Sequence, residues 1–132
     1  MTSVPLRVCV VDDDDAVRDS LRILLDSHGI DTQVFSTPAQ FLGQAGPIDA
    51  DCLIFDLHMP DMTGLELAET LRARHMATPI IILTGRNDSV LAARMERAGV
   101  AAVLSKPVSD QVLVNAIEKA RSARATGPGC RD

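Results

Sequence analysis

Leu53-Ile54-Phe55-Asp56-Leu57-His58-Met59-Pro60-Asp61 is the stretch that decides the fold. Apolar residues run directly into an acid, and a turn punctuated by Pro60 and Gly64 follows. An apolar run bounded by turn residues reads as a buried strand, and the residue that closes it lies at the edge of a sheet. In open α/β sheets that carboxyl edge is where ligands bind. Asp56 is therefore expected to be a carboxylate on a rigid element, facing a crevice. The plainer reading is an Asp that starts a turn or caps a helix. The flanking stretches decide between the two.

The same strand-then-helix pattern appears on both sides. Residues 6–11 are apolar and β-branched, and they run into Asp12, Asp13, Asp14 and Asp15. Val17, Leu21, Leu24 and Leu25 then recur at helical spacing up to Gly29, which suits the left-handed conformation past a helix end. Residues 31–35 form a weaker strand. Ser36-Thr37-Pro38 starts a short helix that buries Phe41 and Leu42 and ends near Gly46-Pro47. Beyond the central stretch, Leu65, Leu67, Ala68 and Leu71 carry a helix that ends before Thr78-Pro79. Residues 79–84 are apolar without alternation, as expected of a central parallel strand buried on both faces. A loop over 85–88, a helix over 89–98 closed by Gly99, and a strand over 101–105 follow. Ser109-Asp110 opens a last helix with Val112, Leu113, Ala116, Ile117 and Ala120 on one face. Five strand–helix units predict an α/β fold, a doubly wound five-stranded parallel sheet of (βα)5 type. One domain is expected over residues 4–124, with a loose tail over 125–132.

Composition narrows the function. The chain has 132 residues, 46% hydrophobic, enough for one domain with a real core. Aromatics are 2%, with no Trp or Tyr, so stacking on bases or flavins has little to work with. The net charge of -5 argues against a nucleic-acid surface, and too few residues follow Arg124 for a helix-turn-helix. A stand-alone domain and a piece of a longer regulator both fit. No apolar run approaches a membrane span, and the start of the chain lacks a signal-peptide pattern. Cys9, Cys52 and Cys130 show no metal-ligand spacing, and a reducing cytoplasm is the simplest setting.

All strand-to-helix loops of a parallel sheet lie on one edge. Asp12, Asp13, Asp56, Thr84 and Lys106 should therefore converge. Singly each has a bland reading: Asp14 and Asp15 as a solvated helix start, Thr84 as a turn hydroxyl, Lys106 as a surface charge. Together they are a carboxylate cluster with one hydroxyl and one ammonium. Two carboxylates about 4 Å apart repel by roughly 4 kcal/mol at an effective dielectric near 20, so three of them call for a cation. Hard oxygen donors suit Mg2+. A carboxylate beside Mg2+ can attack a phosphoryl group to give an aspartyl phosphate, with the ammonium stabilising the phosphoryl oxygens.

The stretches Val10-Val11-Asp12-Asp13, Asp56-Leu57-His58-Met59-Pro60-Asp61-Met62-Thr63-Gly64, Ile82-Leu83-Thr84-Gly85 and Ser105-Lys106-Pro107 resemble a two-component response-regulator receiver domain of the FixJ type. The resemblance covers nearly the whole chain and implies the flavodoxin-like receiver fold. It implies Asp56 as phospho-acceptor and Asp13 and Asp56 as direct Mg2+ ligands. Asp12 would act mostly through water, and the His58 backbone carbonyl would be a further ligand. Thr84 would bond the phosphoryl group and carry the switch, and Lys106 would pair with a phosphoryl oxygen. In the family the Lys-Pro bond is usually cis. The implied donor is a sensor histidine kinase or histidine phosphotransfer protein. Such a domain is a signalling module with self-phosphorylation and autodephosphorylation only.

Two positions depart from the family pattern: Val103 and Val108 stand where aromatics are usual. Val90, Leu91, Met95 and Val103 cannot all face the core, so the face of helix four, strand five and helix five should dock a downstream partner, a homodimer being one form. His58 and Arg86 flank the site and should tune phosphate lifetime. The alternative is an aspartate-nucleophile, Mg2+-dependent phosphatase of the haloacid dehalogenase class, which wants an Asp two residues after the nucleophile; here His58 stands there. A flavodoxin wants a Ser/Thr/Gly-rich loop after strand one, where this chain has four Asp.

Overall fold

The computed structural model describes residues 6–44, 49–85 and 89–126. The apolar runs form β1 (Arg7–Val11), β2 (Asp31–Phe35), β3 (Cys52–Asp56), β4 (Ile80–Thr84) and β5 (Ala102–Ser105). They pair in parallel in the order β2-β1-β3-β4-β5. Every residue of β3 and β4 is buried, as continuous apolar strands require. The helices are α1 (Asp15–Ser27), α2 (Pro38–Leu42), α3 (Gly64–Ala73), α4 (Ala92–Arg97) and α5 (Asp110–Thr126). The doubly wound (βα)5 fold expected from the sequence is the one observed.

Successive strand residues point to opposite faces, and this divides the core in two. Val8, Val10, Ile54, Ile81 and Leu83 pack under Leu21 and Leu25 of α1 and Leu113 and Ile117 of α5. Val11, Phe55, Ile80 and Ile82 pack under α2, α3 and α4. On that second face Phe35, Phe41 and Phe55 make a chain of edge-to-face contacts, with centroids 5.3 and 5.6 Å apart. The pleat also sends Cys9 and Cys52 to opposite faces. Burial pushes their thiols up to about 11 and about 12, so both stay protonated and inert. Cys130 lies outside the described residues.

Several boundaries differ from expectation for local reasons. α2 already ends at Leu42 with Gly43 as its cap, before the expected Gly46-Pro47, which lies outside the described residues. The helix expected over 89–98 begins as a 3-10 turn (Ser89–Leu91), and only Ala92–Arg97 is α-helical. Leu91 sits at the N-cap and has no side-chain oxygen to hold the first turn. On α5, Val112 is 49% exposed instead of joining the inward stripe. One residue is about 100° of rotation, so Leu113 takes the core position and turns Val112 out. α5 continues through Ala125 and Thr126, two residues into the expected tail. Among the described residues no helix is long and apolar enough to cross a membrane.

The strand order fixes where a ligand can sit. From β1 the chain goes outward to β2, then crosses back to β3 on the other side of β1. Connections leave β1 and β3 in opposite directions, which opens a crevice at their carboxyl ends.

Candidate functional site

Asp12 directly follows β1. Its amide still donates to the Phe35 carbonyl at 3.1 Å, so the residue continues the β1–β2 ladder and is 1% exposed. One carboxylate oxygen, Oδ1, accepts from the Asp14 amide at 2.9 Å, and Oδ2 accepts from Lys106 Nζ at 3.1 Å. The four consecutive acids split by role. Asp12 and Asp13 face the crevice. Asp14 caps α1 by accepting from the amides of Ala16 and Val17, and Asp15 pairs with Arg18 in the first turn. The helix-start reading of Asp14 and Asp15 is the observed one.

Asp56 closes β3 and is 6% exposed. The next residue, Leu57, donates its amide to the Leu83 carbonyl at 2.8 Å, tying the strand end to β4. Lys106 follows β5 in the same way, its amide donating to the Thr84 carbonyl at 2.8 Å. Its Nζ lies 3.0 Å from Asp56 Oδ1, so one ammonium bridges Asp56 and Asp12. The Lys106–Pro107 peptide is cis. Thr84 ends β4, buried, opposite Ser105 in the β4–β5 register. Asp12, Asp13 and Asp56 each bring a carboxylate oxygen within 4.8 Å of the others. The structure thus brings Asp12, Asp13, Asp56 and Lys106 together and sets Thr84 on the same edge.

The charges do not balance. Burial raises the Asp56 carboxyl above its ordinary range, and the Asp12 and Asp13 charges add to this against the opposing pull of Lys106. Burial works to lower the Lys106 ammonium, but hydrogen bonds to Asp56 and Asp12 outweigh it and raise the group. Three carboxylates against one ammonium leave two negative charges in excess. At this spacing each carboxylate pair repels by roughly 3–4 kcal/mol at an effective dielectric near 20. An all-oxygen donor set with that excess, open to water at the exposed Asp13, fits a hard divalent cation such as Mg2+.

The loop over Asp56 is drawn in by Gly64, whose amide donates to the Leu57 carbonyl at 3.0 Å. A Cβ at residue 64 would lie 2.5 Å from the Asp56 carbonyl oxygen, so only glycine lets the loop pass so close to the strand end. Thr63 and Glu66 then form a capping box that starts α3. Met59 is buried and anchors the loop, while the His58 side chain is exposed. Arg86, expected as the second flank, lies outside the described residues.

Arg18 and the close approach at Gly64 were not legible beforehand. Arg18 donates to the Asp12 carbonyl at 2.7 Å. Its only sequence signal was a place on the polar side of an amphipathic helix. The four apolar residues of the α4 and β5 face divide as expected, some turned out and some turned in. Val90 and Val103 are 85% and 46% exposed and Leu91 is half-buried, but Met95 is a core residue packed towards α3. Val103 stands half-open because Ala102 and Leu104 take the opposite face of β5.

A family model described as the response regulator receiver domain matches residues 8–118. The transcriptional regulatory protein FixJ of Azorhizobium caulinodans is 40% identical over 112 residues, covering 85% of this chain and 53% of that protein. The chain spans about half the length of the curated relatives it matches. The crystal structure of FixJ-N superposes with a TM-score of 0.82 at 33% identity, covering 91% of this chain and 96% of that one. The structure of the response regulator StyR gives 0.86 at 37% identity, covering 97% and 65%.

Proposed function

The chain belongs to the response regulator receiver domain family, and on that footing we propose that Asp56 is the phospho-acceptor of a two-component switch. The observation that carries this reading is the ammonium of Lys106 bridging Asp56 and Asp12, with Asp13 beside them. An ionised oxygen of Asp56 forms a bond to phosphorus as the bond from phosphorus to the donor nitrogen breaks, and that electron pair leaves with the donor imidazole. Lys106 is already aimed at the acceptor oxygen and pairs with the phosphoryl oxygens as charge shifts onto them. The Thr84 hydroxyl supplies a neutral hydrogen bond and reports the new group. Asp13 and Asp56 would hold Mg2+ directly, Asp12 through water, and His58 by its backbone carbonyl. Bound there, Mg2+ supplies the positive charge that lets an anion approach three carboxylates.

The donor on this reading is the phosphohistidine of a sensor histidine kinase or a histidine phosphotransfer protein. Residues 4–124 act as the receiver, with 125–132 beyond it. The reading carries a cytoplasmic setting, in which Cys9 and Cys52 stay reduced. Output runs through α4, β5 and α5 to a partner or a second copy of the chain.

The test is incubation with a small-molecule phosphodonor and Mg2+, followed by intact mass. One stable phosphoryl group per chain is expected, absent in Asp56→Asn. Thr84→Ala should still be phosphorylated but fail to change partner affinity. Continuous phosphate release without an accumulating adduct would mean a phosphatase and sink the reading.

A further inference from the structure

The two ends of α4 are held very unequally. At its C-terminal end a single guanidinium, Arg72 in the last turn of α3, donates from Nε to the Ala98 carbonyl at 2.7 Å and from Nη2 to the Gly99 carbonyl at 3.2 Å. The Nη1 of the same side chain donates to the carbonyls of Met76 at 2.7 Å and Thr78 at 2.9 Å. One planar fork therefore ties the end of α4 both to the end of α3 and to the segment leading into β4. Glu69, one turn earlier on α3, accepts from Nε and Nη2 of Arg94 at 3.1 and 2.7 Å. Met95 and Ala98 are buried beneath this end.

Among the described residues, the N-terminal end shows none of this. It is a 3-10 turn whose last residue, Leu91, gives α4 no side-chain cap, followed by the exposed Ala92 and Ala93. It is also the end that the chain reaches next after Thr84. Hydrogen bonds from an ionised donor are about twice as strong as neutral ones, and four of them converge on Arg72. Lysine, a point charge with three donors, cannot reproduce a fork that spans four carbonyls.

We infer that Arg72 is the pivot of the switch: occupation of Asp56 changes the 3-10 turn and the first turn of α4, while the α4 end at Ala98 and Gly99 stays bolted to α3. Arg72 is thus a positioning residue that directs the response towards Val90 and Leu91. This rests on the phospho-acceptor reading above and adds a direction to it.

Amide hydrogen exchange on the whole chain tests the pivot, with and without beryllofluoride plus Mg2+. In wild type, amides over 89–93 should change by about tenfold on adding the phosphoryl mimic, while those of Ala98, Gly99 and Val100 stay within about twofold. In Arg72→Lys without ligand, exchange at Ala98, Gly99 and Val100 should rise about tenfold, with the α1 amides of Leu21 and Leu25 unchanged. The response of that variant to the mimic should spread along the whole of α4. An even response along α4 in wild type would overturn the pivot. So would an equal rise at Leu21 and Leu25 in Arg72→Lys, which would make the residue a general staple. The wild-type measurement needs no variant, and Glu69→Gln supplies a milder one, with a smaller rise expected at the same three amides. No effect of beryllofluoride at Asp13, Asp56 and Thr84 would defeat the phospho-acceptor reading itself; changes there with α4 responding evenly would defeat the pivot alone.

Discussion

The strand-end cleft and the face formed by α4 and β5 are built to opposite standards. The cleft rests on β3 and β4, buried at every position, and on β1, buried at four of its five. Its acids are held by backbone ladders that continue past the strand ends. The face rests on a six-residue helix without a side-chain cap and an edge strand whose residues alternate between half-buried and exposed. On the proposed function the difference separates two jobs. Carboxylates that repel one another can be kept together only by a scaffold that cannot relax. A surface that must change between states needs a small energy gap, because a ligand shifts a conformational equilibrium only by its differential affinity for the two states.

The contrast breaks most completely at Asp56. Asp56→Asn should abolish covalent phosphorylation, read by mass, yet leave the fold more stable in the absence of metal. The sign follows from the raised carboxyl. A group that holds its proton more tightly when folded makes the fold weaker as pH rises through the window above the ordinary value of 3.8. At neutral pH the ionised Asp56 therefore costs stability, and the neutral amide removes that cost. A higher melting temperature is expected for Asp56→Asn, together with a flatter dependence of stability on pH. A lower melting temperature would show that the bridge from Lys106 outweighs the burial.

Rigidity itself is tested at Gly64. Gly64→Ala places a methyl against the Asp56 carbonyl, and overpacking of this kind costs about 1–3 kcal/mol. Urea denaturation should show that loss, and phosphorylation should slow because the acceptor strand end is displaced. Unchanged stability would mean that the loop moves freely and that the cleft is looser than its contacts indicate.

The face is sharpened by filling it. Val103 is β-branched and half-open, with few rotamers to exchange if Thr84 moves as proposed. Coupling between Asp56 and partner or dimer affinity should therefore be modest, about 1–2 kcal/mol. Val103→Tyr should enlarge the beryllofluoride effect on that affinity. A wild-type response already as large as that of the tyrosine variant would remove the missing ring as a cause.

The smallest effect is expected at His58. Its side chain is exposed two residues after Asp56, where water would attack an aspartyl phosphate on the proposed reading. His58→Ala should change the half-life of the phosphorylated chain by a small factor without changing the extent of phosphorylation. Equal half-lives would leave His58 with its backbone role alone.

Much of this was legible in the chain itself because it is local. Apolar runs such as residues 80–84 and the helical spacing of Leu65 and Leu71 identify the elements. Parallel connectivity then puts Asp12, Asp56, Thr84 and Lys106 on one edge without any coordinates. Tertiary structure decided the rest. Lys106 meets Asp12 across 94 positions, and no local pattern says that it bridges two acids rather than one. Packing separated Asp12 and Asp13 from Asp14 and Asp15, took Met95 into the core while leaving Val90 out, and rotated Val112 to the surface. The roles of Arg18, Gly64 and Arg72 arise only where a side chain or a missing Cβ meets backbone from another element. Periodicity records which way a residue faces, whereas these contacts depend on what the fold has brought opposite it.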